Sequence, residues 1–187
     1  FPTRRSSDLW TAVPLAPASI TVMLLLPDAT VFCASGLPGN ACYRLTPDAT
    51  GNYANGTWSQ RASMIDTRLY FQSHVLRDGR VYVSGGEYGT GYAKAEIYDP
   101  QLNVWTALTP PASLWNPAVD GFSDCCSEVL PNGNVLLMPV QPHTPGIGLI
   151  YNPVTNAWSA PGPLAHGTVQ WEATWVKLRG DSILTIE

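Results

Sequence analysis

Leu76 to Thr106 reads LRDGRVYVSGGEYGTGYAKAEIYDPQLNVWT, and this stretch decides the fold. Asp78-Gly79 stands between two apolar runs, a pairing that predicts a two-residue hairpin turn because glycine reaches positive φ without a Cβ clash. Arg80-Val81-Tyr82-Val83 follows, and its β-branched and aromatic residues predict a strand. The pair Gly85-Gly86 then lets the backbone bend sharply and lets another segment come close. A second strand ends at Tyr98-Asp99-Pro100, where Pro100 has no N–H to continue a ladder. Trp105 closes the unit.

The pattern recurs through the rest of the chain. Aligned on the leucine before the turn, the sequence gives LPDATVFC from Leu26, LRDGRVYV from Leu76, LPNGNVLL from Leu130 and LRGDSILT from Leu178, spaced by 50, 54 and 48 residues. Five positions after each leucine stand Val31, Val81, Val135 and Ile183. The tryptophan returns as Trp10, Trp58, Trp105 and Trp158, each followed by Thr or Ser. Tyr98-Asp99-Pro100 returns as Tyr151-Asn152-Pro153 and, loosened, between Tyr43 and Pro47. A glycine pair, a tyrosine and a tryptophan at these intervals, with a period of roughly 50 residues, resemble kelch repeats rather than the shorter WD40 unit. The resemblance implies an all-β, kelch-type β-propeller with about three and a half four-stranded antiparallel blades, in which Gly85, Gly86, Tyr98, Trp58, Trp105 and Trp158 are structural.

Composition agrees. Only 13% of the 187 residues are charged, while 16 Gly, 17 Pro, 7 Trp and 8 Tyr suit short strands joined by many turns. The net charge is −4 and the ten basic residues are scattered, which argues against a nucleic-acid footprint. No apolar run approaches the roughly 18 residues of a membrane-spanning helix.

In chain order, residues 1–9, FPTRRSSDL, fit no blade and read as a foreign, adapter-like or disordered tail. Residues 10–17 read as the last strand of a preceding blade. Blades are expected at 18–62, 67–109 and 121–164, and an incomplete one at 168–187, so the sequence reads as a piece of a larger ring.

Cys33 and Cys42 flank a Gly-Pro-Gly connection and could close it with a disulfide in an oxidising compartment. Cys125 and Cys126 are adjacent and read as buried side chains directed to opposite faces of a strand. His74, His143 and His166 read as structural or surface residues. The kelch superfamily includes galactose oxidase-like copper enzymes, but where an oxidase would offer a tyrosine followed by histidine, this chain has Tyr70-Phe71-Gln72, and phenylalanine ligates no metal. No cofactor, metal site or catalytic residue is therefore expected within this sequence.

What remains is a binding face. Six residues before each leucine stand Ile20, Tyr70, Asp124 and Glu172. If the strand they begin is innermost, Asp124 and Glu172 project near the mouth of the central channel, and Tyr70 joins them as a binding candidate. Tyr88, Tyr92 and Trp115 add loop aromatics, a residue type suited to sugar or protein contact. The reading is a non-catalytic binding or interaction module whose loop face takes a protein or carbohydrate ligand, with the other blades of the parent chain as neighbours and an extracellular or periplasmic location. The alternative is a piece of a galactose oxidase-like, carbohydrate-directed oxidase whose copper ligands lie elsewhere.

Overall fold

The computed structural model describes residues 10–139, 148–162, 170, 173–179 and 182–185. The tail at residues 1–9, the acid Glu172, Trp171, His143 and His166 lie outside the described residues. Three four-stranded antiparallel sheets follow one another. The first is β1 (Ile20–Leu25), β2 (Val31–Ser35), β3 (Cys42–Thr46) and β4 (Thr57–Arg61). The second is β5 (Gln72–Val75), β6 (Val81–Ser84), β7 (Ala95–Asp99) and β8 (Val104–Leu108). The third is β9 (Cys126–Val129), β10 (Val135–Met138), β11 (Leu149–Asn152) and β12 (Ala157–Ser159). A two-stranded ladder, β13 (Val176–Lys177) with β14 (Ile183–Leu184), begins a fourth unit. Each sheet pairs its strands in sequence order, and the first strands β1, β5 and β9 pack successively against one another. They form the inner edge of the array, as the inner strands of propeller blades do.

The hairpins recur for a local reason. In the second sheet the Leu76 N–H donates to the Arg80 carbonyl and the Gly79 N–H to the Leu76 carbonyl, so the loop holds three residues, Arg77-Asp78-Gly79, rather than two. This is a tight turn followed by one left-handed residue, which the right-handed strand twist also accepts. Gly79 and Gly133 take that conformation at φ 85° and 87°, and Ala29 holds it at 61° despite its Cβ. In each of the three loops an Asp or Asn side chain, from Asp28, Asp78 or Asn132, accepts the backbone N–H two residues on.

The core lies in the seams between sheets. β6 is buried on both faces: Val81 and Val83 join the cluster shared with the first sheet, Tyr82 the cluster shared with the third. Period two along one strand thus serves two seams. Each seam carries the same aromatic set. Tyr98 packs on Phe32 and Trp105, with ring centroids 5.5 and 5.0 Å away. One sheet later, Tyr151 packs on Tyr82 and Trp158 at 5.7 and 4.9 Å. The first sheet departs from this pattern, because Trp58 pairs with Leu45 across β3 and β4, and Tyr43 lies opposite Gln60. The loosened Tyr43–Pro47 alignment is therefore off by two residues.

Tryptophan also locks the seams by hydrogen bonding. Trp105 Nε1 donates to the Ala62 carbonyl at 2.9 Å, and Asn103 Oδ1 accepts the Ala62 N–H at 2.9 Å. Trp58 Nε1 donates in the same way to the Pro14 carbonyl. Asn103 and its counterpart Asn156 adopt left-handed backbone, and each accepts from the hydroxyl of its sheet's tyrosine, Tyr98 or Tyr151.

The cysteine expectation fails on register. Cys33 pairs with Tyr43 and Ala34 with Cys42, so the two thiols project from opposite faces of the sheet. All four cysteines are free and buried. Burial pushes the Cys33 thiol up to about 11 and Cys42 to about 12. The oxidising-compartment expectation therefore has no disulfide beneath it.

Candidate functional site

Two grooves open at opposite ends of the sheets. The hairpin-turn end carries one of about 530 Å³ between the first and second sheets, lined by Arg44, Arg61, Arg80 and three aspartates. Its arginines are already engaged: Arg44 donates to the Pro100 carbonyl, Arg80 to the Pro153 carbonyl, and Arg61 to the Tyr98 hydroxyl. These bonds cross from one sheet to the next, so this end is devoted to holding the array together.

At the other end the inner strands begin, and a cleft of about 580 Å³ opens between β5, β9 and residues 173–175. Tyr70 and Asp124 line it from the same register position of successive sheets. Both are non-glycine residues in left-handed backbone, at φ 55° and 50°. An L-residue pays roughly 1–2 kcal/mol to sit there, and such outliers cluster at binding sites. Trp175 is half-buried and lines the far wall, with its Nε1 donating to Gln170 Oε1.

Deeper in, β5 and β9 are joined by polar side chains. His74 Nε2 lies 2.7 Å from Ser127 Oγ, and Ser127 donates to Gln72 Oε1 at 3.1 Å. Burial holds the His74 imidazole below its ordinary pKa, so the neutral ring is favoured. Glu128 on the same strand accepts from Lys177 of the fourth unit. The Cys126 thiol donates to the Ala173 carbonyl at 2.8 Å.

The rim comes from the loop between β6 and β7. Leu69 and Tyr88 form an isolated antiparallel bridge, which brings the Tyr88 ring edge-on to the Tyr70 ring at 6.2 Å and 67°. Tyr70 is 63% exposed and Tyr88 51%. The Tyr88 hydroxyl is pushed above its ordinary range by its hydrogen bond to Glu87, with Tyr70 and Asp124 adding to the effect. Tyr92 is half-buried, and a Cβ at Gly121 would overlap its ring. Burial raises the Tyr92 hydroxyl, and Asp120 and Asp124 raise it further. Tyr70 and Asp124 thus line one cleft, Tyr88 stands against Tyr70 at its rim, and Tyr92 lies close enough to Asp124 for that carboxylate to act on its hydroxyl.

Trp115 does not join them. It is 3% exposed, stacks on Phe122 at 4.1 Å and donates from Nε1 to the Ala93 carbonyl, because the Pro110–Ser123 connection folds back over the second sheet. It is a core residue. Phe71 is buried in the seam cluster. Sequence reasoning missed the Gln72–Ser127–His74 network, although polar residues inside inner-strand runs were its visible sign. It also missed a fully buried ion pair behind the cleft. Arg68 donates from Nε and Nη2 to Glu96 Oε1, at 3.1 and 2.7 Å, and from Nη1 to the carbonyls of Gly85, Gly91 and Lys94. Glu96 also accepts the N–H groups of Ile65 and Asp66. The pair fixes the strand leading to Tyr70 against the Gly85-Gly86 bend.

The stacked sheets, with their shared seam chemistry, define a β-propeller of the kelch type. Residues 68–112 match the kelch motif family, and the chain is similar to kelch-repeat proteins. It is 31% identical over 119 residues to spermatocyte protein spe-26 of Caenorhabditis elegans, covering 54% of this chain and 18% of that one. It is 29% identical over 143 residues to the F-box/kelch-repeat protein SKIP30 of Arabidopsis thaliana, covering 68% of this chain and 38% of that one. The chain spans well under half the length of these curated relatives. Among solved structures, that of YjhT superposes with a TM-score of 0.64 at 19% identity, over 93% of this chain and 60% of the other, a likeness of fold.

Proposed function

We propose that the chain is a non-catalytic interaction module whose ligand, a protein or a carbohydrate, seats on the loop face at the channel mouth. The observation that carries this reading is the shared placement of Tyr70 and Asp124. Two successive inner strands begin with a side chain held in left-handed backbone and directed to one cleft, beside an exposed tyrosine pair. Exposed aromatic rings next to carboxylates suit recognition, since rigid rings lose little entropy when a ligand covers them. The kelch repeats of the relatives point to the same kind of use, and the opposite end of the array is occupied by its own inter-sheet bonds.

The test is a paired screen of the 187-residue chain on glycan and peptide arrays, with Tyr70→Ala and Asp124→Ala beside the wild type. Ligands that bind the wild type should be weakened by both substitutions. Ligands indifferent to both would place binding elsewhere and sink the proposal.

A further inference from the structure

Resting on that reading of the channel mouth, we propose that its ligand is an uncharged, extended segment of a partner polypeptide with consecutive prolines, whose rings lie on the Tyr70–Tyr88 pair and whose carbonyls take the free donors of the cleft. The charges described at this end are already committed. Lys177 pairs with Glu128 and Lys94 with Asp66, while Arg68 is sealed beneath with Glu96. Asp124 is engaged as well, and Glu87 holds the Tyr88 hydroxyl. A charged ligand would have to compete with one of these partners, so charge is not what the mouth selects.

What remains is ring faces and donors. An edge-to-face pair leaves ring faces uncovered, and both tyrosines are more than half exposed. Acceptors along the cleft are taken: Gln72 Oε1 by Ser127, the Ser127 oxygen by His74, and Gln170 Oε1 at the far wall by Trp175. Gln72 Nε2 and the Tyr70 hydroxyl line the same cleft and make no hydrogen bond among the described residues. Proline answers both features, since it offers a carbonyl acceptor and an apolar ring and brings no N–H that would need a partner. A sugar brings a donor with every hydroxyl and would call on acceptors that are already in use. Aromatic-lined grooves take proline runs in this way, because the polyproline II helix is formed before it binds. The protein side is also set in advance. The Leu69 N–H donates to the Tyr88 carbonyl at 3.1 Å and the Glu87 N–H to the Leu69 carbonyl at 2.9 Å, so two backbone bonds hold the ring pair. Preorganisation on both sides lowers the ordering cost of binding.

The experiment titrates the full chain with acetyl-Gly-Pro-Pro-Pro-Gly-amide and with counterparts in which three alanines, three arginines or three glutamates replace the prolines, beside maltotriose as a neutral sugar. The proline peptide should bind about tenfold tighter than the alanine peptide, a difference of about 1.4 kcal/mol. Raising sodium chloride from about 0.05 M to about 0.5 M should leave its affinity unchanged, because no ion pair is involved. Tyr70→Ala and Tyr88→Ala should each weaken it. Gln72→Glu keeps an acceptor for Ser127 and removes the free donor, so it should weaken binding too. Tyr88→Ala carries the ring test if Tyr70→Ala fails to fold by circular dichroism. Equal affinity for the proline and alanine peptides, a tenfold loss in high salt, or proline binding untouched by both ring variants overturns the inference. If maltotriose or a charged peptide binds in a manner lost in Tyr70→Ala while the proline peptide does not bind, the proline preference falls and the mouth remains a binding face. If no probe binds, or if binding is identical in wild type and every variant, both readings fall.

Discussion

In the second sheet the position eight residues before the hairpin leucine is Arg68, and the position two before the seam tyrosine is Glu96. In the third sheet the same positions hold Phe122 and Leu149. All four side chains are buried, but the first two form an ion pair with every visible hydrogen-bonding need met, and the second two belong to a single apolar cluster. Around them the frame is unchanged: tyrosine, left-handed asparagine and tryptophan stand in the same places in both sheets. The comparison teaches that the repeat constrains the seam and leaves the site behind it free to be charged or apolar, provided both members agree. A buried ion pair is roughly interchangeable with well-packed apolar residues, whereas a half-pair is not.

The largest expected effect comes from breaking that agreement. Glu96→Leu alone leaves the Arg68 guanidinium without its carboxylate and two backbone N–H groups without an acceptor, and should cost about 3–5 kcal/mol in urea unfolding. A loss below about 1 kcal/mol would mean that Arg68 finds other partners, and the comparison would lose its force. Next comes the shared frame. Trp105→Ala removes the ring between Phe32 and Tyr98 together with its bond to Ala62, and should cost about 3 kcal/mol by the same measurement. Trp158→Ala should behave alike, since its place is equivalent. Smaller again is the double replacement Arg68→Phe with Glu96→Leu, which imports the third sheet's solution. It should recover most of the single-variant loss, ending within about 2 kcal/mol of wild type. Costs that simply add would show that the ion pair is specific to its sheet. The smallest effect concerns the hairpins, where Ala29 holds a conformation that glycine holds in the next two sheets. Ala29→Gly should raise stability by about 0.5–1 kcal/mol, and a loss would show that Ala29 is unstrained.

The frame was legible in the sequence because it is made of residues with few alternatives. Turn glycines and seam tryptophans recur at fixed intervals, and their spacing alone places the strands. The register that aligned Tyr70 with Asp124 was legible for the same reason, and the structure brings the two to one cleft. The Arg68–Glu96 pair was not, because a charged residue in an alternating strand reads as solvent-facing until both faces are known to be covered. Trp115 misled because Pro110–Ser123 has loop composition, and composition does not reveal that a loop lies back over a sheet. Cys33 and Cys42 misled through proximity in the chain, since an offset of one residue in pairing separates two thiols by the thickness of a sheet.

Several of the bonds that tie one sheet to the next, the Arg61–Tyr98 and Ser127 bonds apart, share a property. Trp105 and Trp58 donate to the carbonyls of Ala62 and Pro14, Arg44 and Arg80 to those of Pro100 and Pro153, and Asn103 receives the Ala62 amide. In each case one neighbour supplies a side chain and the other offers only main chain. The receiving half of the joint is thus indifferent to which amino acid occupies it, so a unit can be duplicated, exchanged or allowed to drift without losing its fit to the unit beside it. Such joints let a lineage keep its architecture while little of its sequence survives, and they leave each loop at the channel mouth free to acquire a specificity of its own.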